Sequence, residues 1–285
     1  MLIFQHNRKH GHKFVFSALC FGFCMARITT LSLRMAWASH STNINLAIAA
    51  SIFVQAGVLL LFIVNLIFAQ RIVRSYHPSF GWSKGLSWAF KFLYFCVFAS
   101  LCMVITAAVQ TFFTLNTSIR TKDRDIILFA GTFSAVLAFL PIPITLISLA
   151  LARTVPNHRP EKFGQGRSRT KIFLLLTATL LLSIGACFRL GVNFTTPRPL
   201  TDPAWYHSKA CFYCFNFVIE LIVVYMYAIS RFDRRFHVPD GSFMPGHYGS
   251  GGPATTASAA EEIVNSGANH SESEDKHRLN GGERV

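Results

Sequence analysis

The stretch from Leu46 to Gln70 reads LAIAASIFVQAGVLLLFIVNLIFAQ and contains no charged side chain. About 20 apolar residues in a helix are enough to cross the roughly 30 Å of hydrocarbon in a lipid bilayer. The helix is the conformation required there, because lipid offers no hydrogen-bond partner to an open backbone. This stretch therefore predicts a membrane-spanning α-helix.

Five other runs have the same character, so the chain predicts an all-α fold, a polytopic transmembrane helix bundle. The loops between the runs are short, which favours packing of consecutive helices as antiparallel neighbours. The six predicted spans are residues 14–36, 46–70, 91–115, 126–151, 171–192 and 207–230.

The composition agrees with a membrane protein and argues against a nucleic-acid-binding one. Charged residues make up 14% of the chain, against about 25% in ordinary soluble domains. Residues 1–239 contain 24 Lys and Arg residues but only six Asp and Glu residues. The basic residues lie in short loops between apolar runs, a pattern typical of membrane orientation. We therefore expect membrane lipids as partners and no nucleic acid.

The distribution of basic residues predicts the orientation. The N-terminus, the 71–91 loop, the 152–171 loop and the stretch after residue 230 hold 16 Lys and Arg residues, whereas the other side holds six. Basic loops stay in the cytosol, so both termini are predicted to be cytosolic. Two glycosylation sequons, at Asn116 and Asn193, fall on the predicted outer side, each close to the membrane.

Three regions are predicted along the chain. Residues 1–13 form a basic cytosolic N-terminus, and residues 14–239 form the helix bundle. The bundle ends in a basic and aromatic segment, 231–237, which we interpret as an anchor at the lipid interface. Residues 240–285 are rich in Gly, Ser, Ala, Glu and His without apolar periodicity, which predicts a disordered cytosolic tail.

Charged residues inside the spans are the first place to look for function, because lipid makes them unfavourable unless they are paired or hydrated. Arg27 and Arg34 are seven residues apart on one face of the first span, and Glu220 lies midway along the last. Arg27 and Glu220 are at similar depth, so we expect them to pair. Three outcomes are open: a pair that only joins two helices, a pair with a ligand- or proton-handling role, or no contact.

Further polar side chains complete the candidate intramembrane site. Tyr213 and Asn216 share a face of the last span with Glu220, and Gln110 is expected to face the bundle interior with other polar residues. Interhelical hydrogen bonding alone explains most such residues. The candidate site consists of Arg27, Arg34, Glu220, Asn216, Tyr213 and Gln110.

The sequence predicts neither a metal site nor a cofactor. His6 and His10 are four residues apart but have no nearby carboxylate or thiol, so a solvated basic terminus is the simpler interpretation. Cys211 and Cys214 form a C-x-x-C inside an apolar run, which indicates small packing residues. Pro141 and Pro143 predict a kink in the fourth span.

Several stretches resemble a family of fungal multi-pass membrane proteins. Members of that family have seven spans, so the resemblance implies that the first is missing here. The chain is also distantly similar, in layout, to fungal lipid-translocating exporters of the aminocholesterol-resistance type. The stretches that carry the first resemblance are Phe21–Arg27, Leu61–Arg71, His77–Pro78, Gly81–Trp82, Phe139–Pro143, Phe188–Arg189, Pro197–Pro199, Asp202–Tyr206, Phe215–Phe217 with Glu220, and Phe236–Gly241.

Two function classes fit these observations. The first is a transporter or translocator of a lipid or small amphiphile, which the distant resemblance implies and the polar stripes favour. The alternative is a seven-helix-type sensor or receptor that signals through the basic 152–171 loop and the C-terminal tail to cytosolic protein partners. We do not expect an enzyme, because Glu220 is the one acidic residue clearly within a predicted span and no His lies mid-span.

Overall fold

The computed structural model describes residues 15–40, 42–114, 116–154, 160–195, 204–238, 242, 244, 245, 247 and 248. Within these residues the chain is helical and contains no strand, as predicted. The helices are α1 (Val15–Ser39), α2 (Ile44–Tyr76), α3 (Pro78–Gly81), α4 (Lys84–Phe113), α5 (Thr117–Phe139), α6 (Pro141–Thr154), α7 (Ser168–Phe194), α8 (Lys209–Tyr213), α9 (Ile219–Ile229) and α10 (Phe232–Arg235), with a 3₁₀ turn at Trp205–His207 and a π-helical segment at Cys214–Val218.

Six helical segments are long and apolar enough to cross a membrane, which confirms the predicted number of spans. They are α1, α2, α4, α5 with α6, α7, and the helix from α8 through α9. Several helices extend past the predicted apolar runs. For example, α5 begins at Thr117 rather than at residue 126, because the Asn116 side chain caps its first turn. Polar flanking residues thus extend this helix beyond the apolar run that hydropathy identifies.

The fourth span changes its hydrogen bonding at its prolines, while Leu140 keeps helical φ and ψ and the predicted kink stays a prediction. Leu140 separates α5 from α6, and Pro141 and Pro143 follow directly. Proline has no backbone N–H to donate, so this turn loses hydrogen bonds of the helix ladder.

Helix α2 is the centre of the bundle and is the most buried of the six spans. It packs against α1, α4, α6 and α7. By contrast, α4 lies at the periphery and exposes a row of large apolar side chains at Trp88, Phe92, Phe95 and Phe98. Such a row suits contact with lipid, so the architecture is that of a multi-pass membrane protein.

The end of the bundle that contains residues 71–84, 160–167 and 231–238 is called the basic end, and the other is called the opposite end. At the basic end, the segment predicted to be an interfacial anchor is folded into the bundle. Phe236 is fully buried and stacks on Phe68 of α2 with ring centroids 4.2 Å apart, while Arg71 donates to the Phe236 carbonyl. The interpretation of these aromatic rings as lipid anchors is therefore wrong, because they find a better apolar site between the helices.

The 160–167 loop docks on the same segment. Phe163 is buried beside Phe236, and the Gln165 N–H donates to the Arg234 carbonyl at 2.8 Å. Gly164 has a left-handed φ of 54°, and a Cβ there would collide with the Arg235 carbonyl. Glycine is the residue that tolerates both this positive φ and this close contact, because it has no Cβ.

Tyr248 lies inside the predicted tail, yet its ring is buried between Trp82 and Phe163, with centroid distances of 5.5 and 5.6 Å. Burial raises the pKa of the Tyr248 phenol, so the side chain stays neutral. Tyr248 of the predicted tail thus packs on the bundle, and the predicted disorder of the tail stays a prediction. Most of residues 240–285, like residues 1–13, lie outside the described residues.

We predict that Gly164→Ala destabilises the protein by about 2 kcal/mol or more, because it combines an unfavourable φ with a backbone collision. Gly85→Ala is the control, since a Cβ at Gly85 would lie in open space. Thermal unfolding in nanodiscs compares the two variants. A Gly164→Ala melting temperature equal to that of Gly85→Ala would contradict the docking of the 160–167 loop.

Candidate functional site

Four polar side chains from three spans meet in the interior of the bundle, and we call them the charged cluster: Arg27, Arg189, Asn216 and Glu220. Arg27 comes from α1, Arg189 from α7 and the other two from the last span. The Glu220 side chain is 2% exposed. Its burial requires partners, because an isolated carboxylate in an apolar interior is strongly unfavourable.

The expected contact between Arg27 and Glu220 is present. Arg27 Nε donates to Glu220 Oε2 at 2.7 Å, and Nη2 lies 2.6 Å from the same oxygen. The third guanidinium nitrogen, Nη1, donates to the Val54 carbonyl at 3.0 Å. Arg27 therefore connects α1, α2 and α9 through one planar group.

Gly57 makes room for this guanidinium. A Cβ at Gly57 would lie 2.9 Å from Arg27 Cζ. The rings of Phe23 and Phe217 flank the cation, with centroids 5.2 and 5.1 Å from Cζ. Aromatic faces attract a cation, so the environment of Arg27 is favourable on several sides.

Arg189 is a member of the cluster that the sequence pattern misses. Its Nη1 lies 3.3 Å from Glu220 Oε1 and 3.5 Å from Asn216 Oδ1. Its position near the end of a span resembles that of an interfacial basic residue, which explains the omission. The sequence feature that does point to Arg189 is its position inside the predicted span 171–192.

The charges in the cluster do not cancel. Two guanidinium groups face one carboxylate, so the cluster as a whole carries one net positive charge when all three groups are ionised. Arg27 holds its carboxylate oxygen at the shorter distances, 2.6 and 2.7 Å against 3.3 Å for Arg189. Arg189 is thus the more loosely held of the two arginines.

A π-helical segment, Cys214–Val218, carries Asn216 and leads directly into the turn with Glu220. Asn216 Nδ2 donates to the Phe212 carbonyl at 2.8 Å. This carbonyl thereby has a partner at the point where the α-helical hydrogen bonds give way to π-helical ones. Gly185 of α7 lies against the segment, and a Cβ there would come 2.9 Å from the Phe215 carbonyl. Single π turns inside α-helices occur often at functional sites.

The other predicted site residues have different fates. Arg34 lies near the cluster with its Cζ 4.2 Å from the Phe212 ring centroid and 5.6 Å from that of Tyr213. Its Nε is buried and has no hydrogen-bond partner. Gln110 is exposed on peripheral helix α4 and takes no part in the cluster, so its predicted inward orientation is wrong. The reason is that α4 buries only a narrow face.

Nearer the basic end, three buried polar side chains form a second hydrogen-bonded group. Tyr227 Oη donates to Asn65 Oδ1 at 2.6 Å, and Asn65 Nδ2 donates to Thr179 Oγ1 at 3.4 Å. All three side chains are buried. This group joins α2, α7 and α9 by interhelical hydrogen bonds and leaves the charged cluster as the unusual feature.

A cavity of about 330 Å³ adjoins the charged cluster on the side of the opposite end. Arg34, Arg189 and Asn216 all face it, and no acidic side chain from the described residues lines it. Deeper in the bundle Leu59 and Phe62 of α2 line it, together with the buried Ser100 of α4. The volume is at the lower end of the range for small-molecule sites, which runs from about 300 to 1,000 Å³.

A separate groove of about 550 Å³ lies toward the basic end between α2, α4 and α6. Its walls are almost wholly apolar, with Phe80, Phe90 and Ile147 among them. The His77 ring is satisfied there by the Ser148 carbonyl at 2.8 Å. This groove offers apolar contact but no charged group.

Among the described residues, the remaining sequence signals add no ligand site, while His6 and His10 lie outside that part of the chain. Asn116 and Asn193 are both exposed, Asn116 as the cap of α5 and Asn193 in the last turn of α7. Their use as glycosylation sites stays a prediction. In the described part of the chain, no group of three or more His, Cys, Asp or Glu side chains could hold a metal.

We predict that Glu220→Gln lowers the free energy of unfolding by about 3–5 kcal/mol, because two buried guanidinium groups lose their carboxylate. Arg27→Gln should cost less, since Arg189 still neutralises Glu220. The double variant should recover only part of the loss, because Arg189 remains unpaired. Unfolding in nanodiscs ranks the three variants, and equal losses in both single variants would contradict the shared carboxylate.

We also predict that Gly185→Ala destabilises the protein, because the backbone carbonyl of Phe215 would have to shift. Gly191→Ala on the same helix is the matched control, since a Cβ at Gly191 meets nothing within 4 Å. There, alanine should be neutral or stabilising by up to about 1 kcal/mol through its helix propensity. Melting temperatures of the two variants test the packing of the π-helical segment against α7.

A family model described as "Protein of unknown function (DUF3112)" matches residues 153–237. The match runs from the end of α6 through α7 and the last span to α10. No curated protein and no solved structure matches the chain. The matched region therefore includes three members of the charged cluster, Arg189, Asn216 and Glu220. It also includes residues 231–237 at the basic end.

Proposed function

We propose that the protein is a transporter that translocates a lipid or small amphiphile, with the cavity beside the charged cluster as its binding site. The observation that carries the proposal is the surplus arginine at this cavity. A pair that only joined two helices would need one arginine and one carboxylate. Intramembrane charges that exceed this need are typical of substrate pathways.

The walls of the cavity fit an amphiphile. Arg34 and Arg189 offer hydrogen-bond donors toward the opposite end, while Leu59 and Phe62 offer apolar contact deeper in the bundle. A molecule with a polar head and an apolar body can satisfy both kinds of surface at once. The distant resemblance to lipid-translocating exporters points in the same direction.

Two irregular helices adjoin the path that such a ligand would follow. The last span contains the π-helical segment, and the fourth span contains Pro141 and Pro143, which have no backbone N–H to donate. Backbone at such positions has fewer regular hydrogen bonds, so it can change shape at lower energetic cost than an unbroken helix. Translocation requires such changes, because the site has to open to each side in turn.

The proposed role is not enzymatic. Both oxygens of Glu220 contact arginine side chains, so this carboxylate is poorly placed to accept a proton from a substrate. A receptor is the second class, and the contacts that join Phe163, Phe236 and Tyr248 at the basic end favour it as the alternative. Ligand binding could change these contacts without any transport.

Ser134→Trp tests the proposal, because Ser134 lines the cavity and an indole there would fill it. Thr132→Trp is the matched control, since Thr132 is an exposed residue of the same helix and does not line the cavity. The assay follows fluorescent lipid analogues across the bilayer of proteoliposomes. We expect wild type and Thr132→Trp to accelerate translocation, and folded Ser134→Trp to match protein-free vesicles.

Translocation at the protein-free rate for every analogue with the wild type would overturn the transport proposal. If ligand then changed the protease sensitivity of the 160–167 loop, the receptor would be the better interpretation. Equal activity of the two tryptophan variants would show that transport does not use this cavity.

A further inference from the structure

We propose that the cavity selects an amphiphile with an anionic head group, which is bound between Arg34 and Arg189. This inference rests on the proposed function, because it names the ligand class for the same cavity. It depends on the balance of charge at the cavity wall and on the hydrogen-bonding state of the two arginines.

Arg34 has a capacity for binding that the described residues do not use. Its Nε is buried without a hydrogen-bond partner, and no carboxylate among these residues lies within ion-pair distance of it. The ring faces of Phe212 and Tyr213 hold the guanidinium in place. A buried N–H without an acceptor is unfavourable, and a bound anion would supply that acceptor.

Arg189 supplies the second donor group. Glu220 already has Arg27 at the shorter distances, so the 3.3 Å contact of Arg189 can be exchanged for a ligand without leaving the carboxylate unpaired. Arg189 also lines the cavity, whereas Arg27 and Glu220 do not. The positive charge of the cluster is therefore presented to the cavity through Arg189.

Arg34 and Arg189 both line the cavity, and no acidic side chain among the described residues lines it with them. An anion bound there would be attracted to both guanidinium groups. Guanidinium groups present planar, paired donors that match carboxylate and phosphate oxygens. Asn216 and Gln55 add uncharged polar groups to the same wall. The walls thus favour an anionic head group over a zwitterionic one.

The deeper part of the cavity favours an amphiphile over a free anion. Val58, Leu59 and Phe62 line it, and none of these side chains can hydrogen-bond to a hydrated ion. An apolar chain placed there would gain from removal of its surface from water, at about 25 cal/mol per Å². A free anion would use only the arginine end.

The test measures binding to the full-length protein in nanodiscs of phosphatidylcholine. The three probes are dihexanoyl phosphatidic acid, dihexanoyl phosphatidylcholine and inorganic phosphate. We expect phosphatidic acid to bind and to raise the melting temperature, since a ligand of the folded state stabilises it by mass action. We expect much weaker effects from the other two probes.

Arg34→Gln is the decisive variant, because Arg34 forms no ion pair with any described residue whose loss would unfold the protein. It should weaken phosphatidic acid binding by about tenfold or more, the effect of losing one hydrogen bond to a charged group. Arg189→Gln should weaken it similarly where it folds. Arg120→Gln is the control, since Arg120 is exposed at the opposite end and does not line the cavity.

Three results would overturn the inference. Equal binding of the two lipids would remove the anionic preference, and unchanged binding to Arg34→Gln would place the site elsewhere. Inorganic phosphate as effective as the lipid would indicate a site for a free ion. None of these results affects the translocation assay with Ser134→Trp, so failure of this inference and failure of the proposed transport are distinguishable.

Discussion

The carboxylate of Glu220, shared between two arginines, is the interaction on which the arrangement of the bundle depends. Apolar helices in lipid gain little from contacting each other rather than lipid chains, so apolar packing alone fixes their positions weakly. A buried carboxylate, by contrast, must have its partners at hydrogen-bonding distance. Glu220 thereby sets the positions of α1 and α7 relative to the last span.

The backbone around this carboxylate is adapted to it. Gly57 leaves space for the Arg27 guanidinium, and Gly185 lets α7 approach the π-helical segment. These two glycines fit close approach rather than chain flexibility, because both lie inside regular helices with φ in the usual range. The charged groups can therefore take their positions because glycines lie opposite Arg27 and the π-helical segment.

The sequence predicts the spans well because hydropathy reports directly on contact with lipid. It also predicts the Arg27–Glu220 contact, since charges at equal depth have few other partners. It fails where a prediction requires knowing which way a side chain points. Arg189 looks interfacial but turns inward, Gln110 looks internal but faces outward, and the rings of 231–237 look like lipid anchors but pack on Phe68. Each of these outcomes depends on contacts between distant parts of the chain.

The second arginine decides between a structural and a functional interpretation of the charged cluster. A structural pair is best when it is neutral, because every surplus charge away from water raises the energy of the folded protein. The cluster keeps a surplus positive charge and places it on a cavity wall rather than deep in the apolar core. An anion that entered the cavity would compensate a charge in that position. This surplus charge is the ground on which we propose that the cluster is a binding site that also joins helices, rather than a helix contact alone.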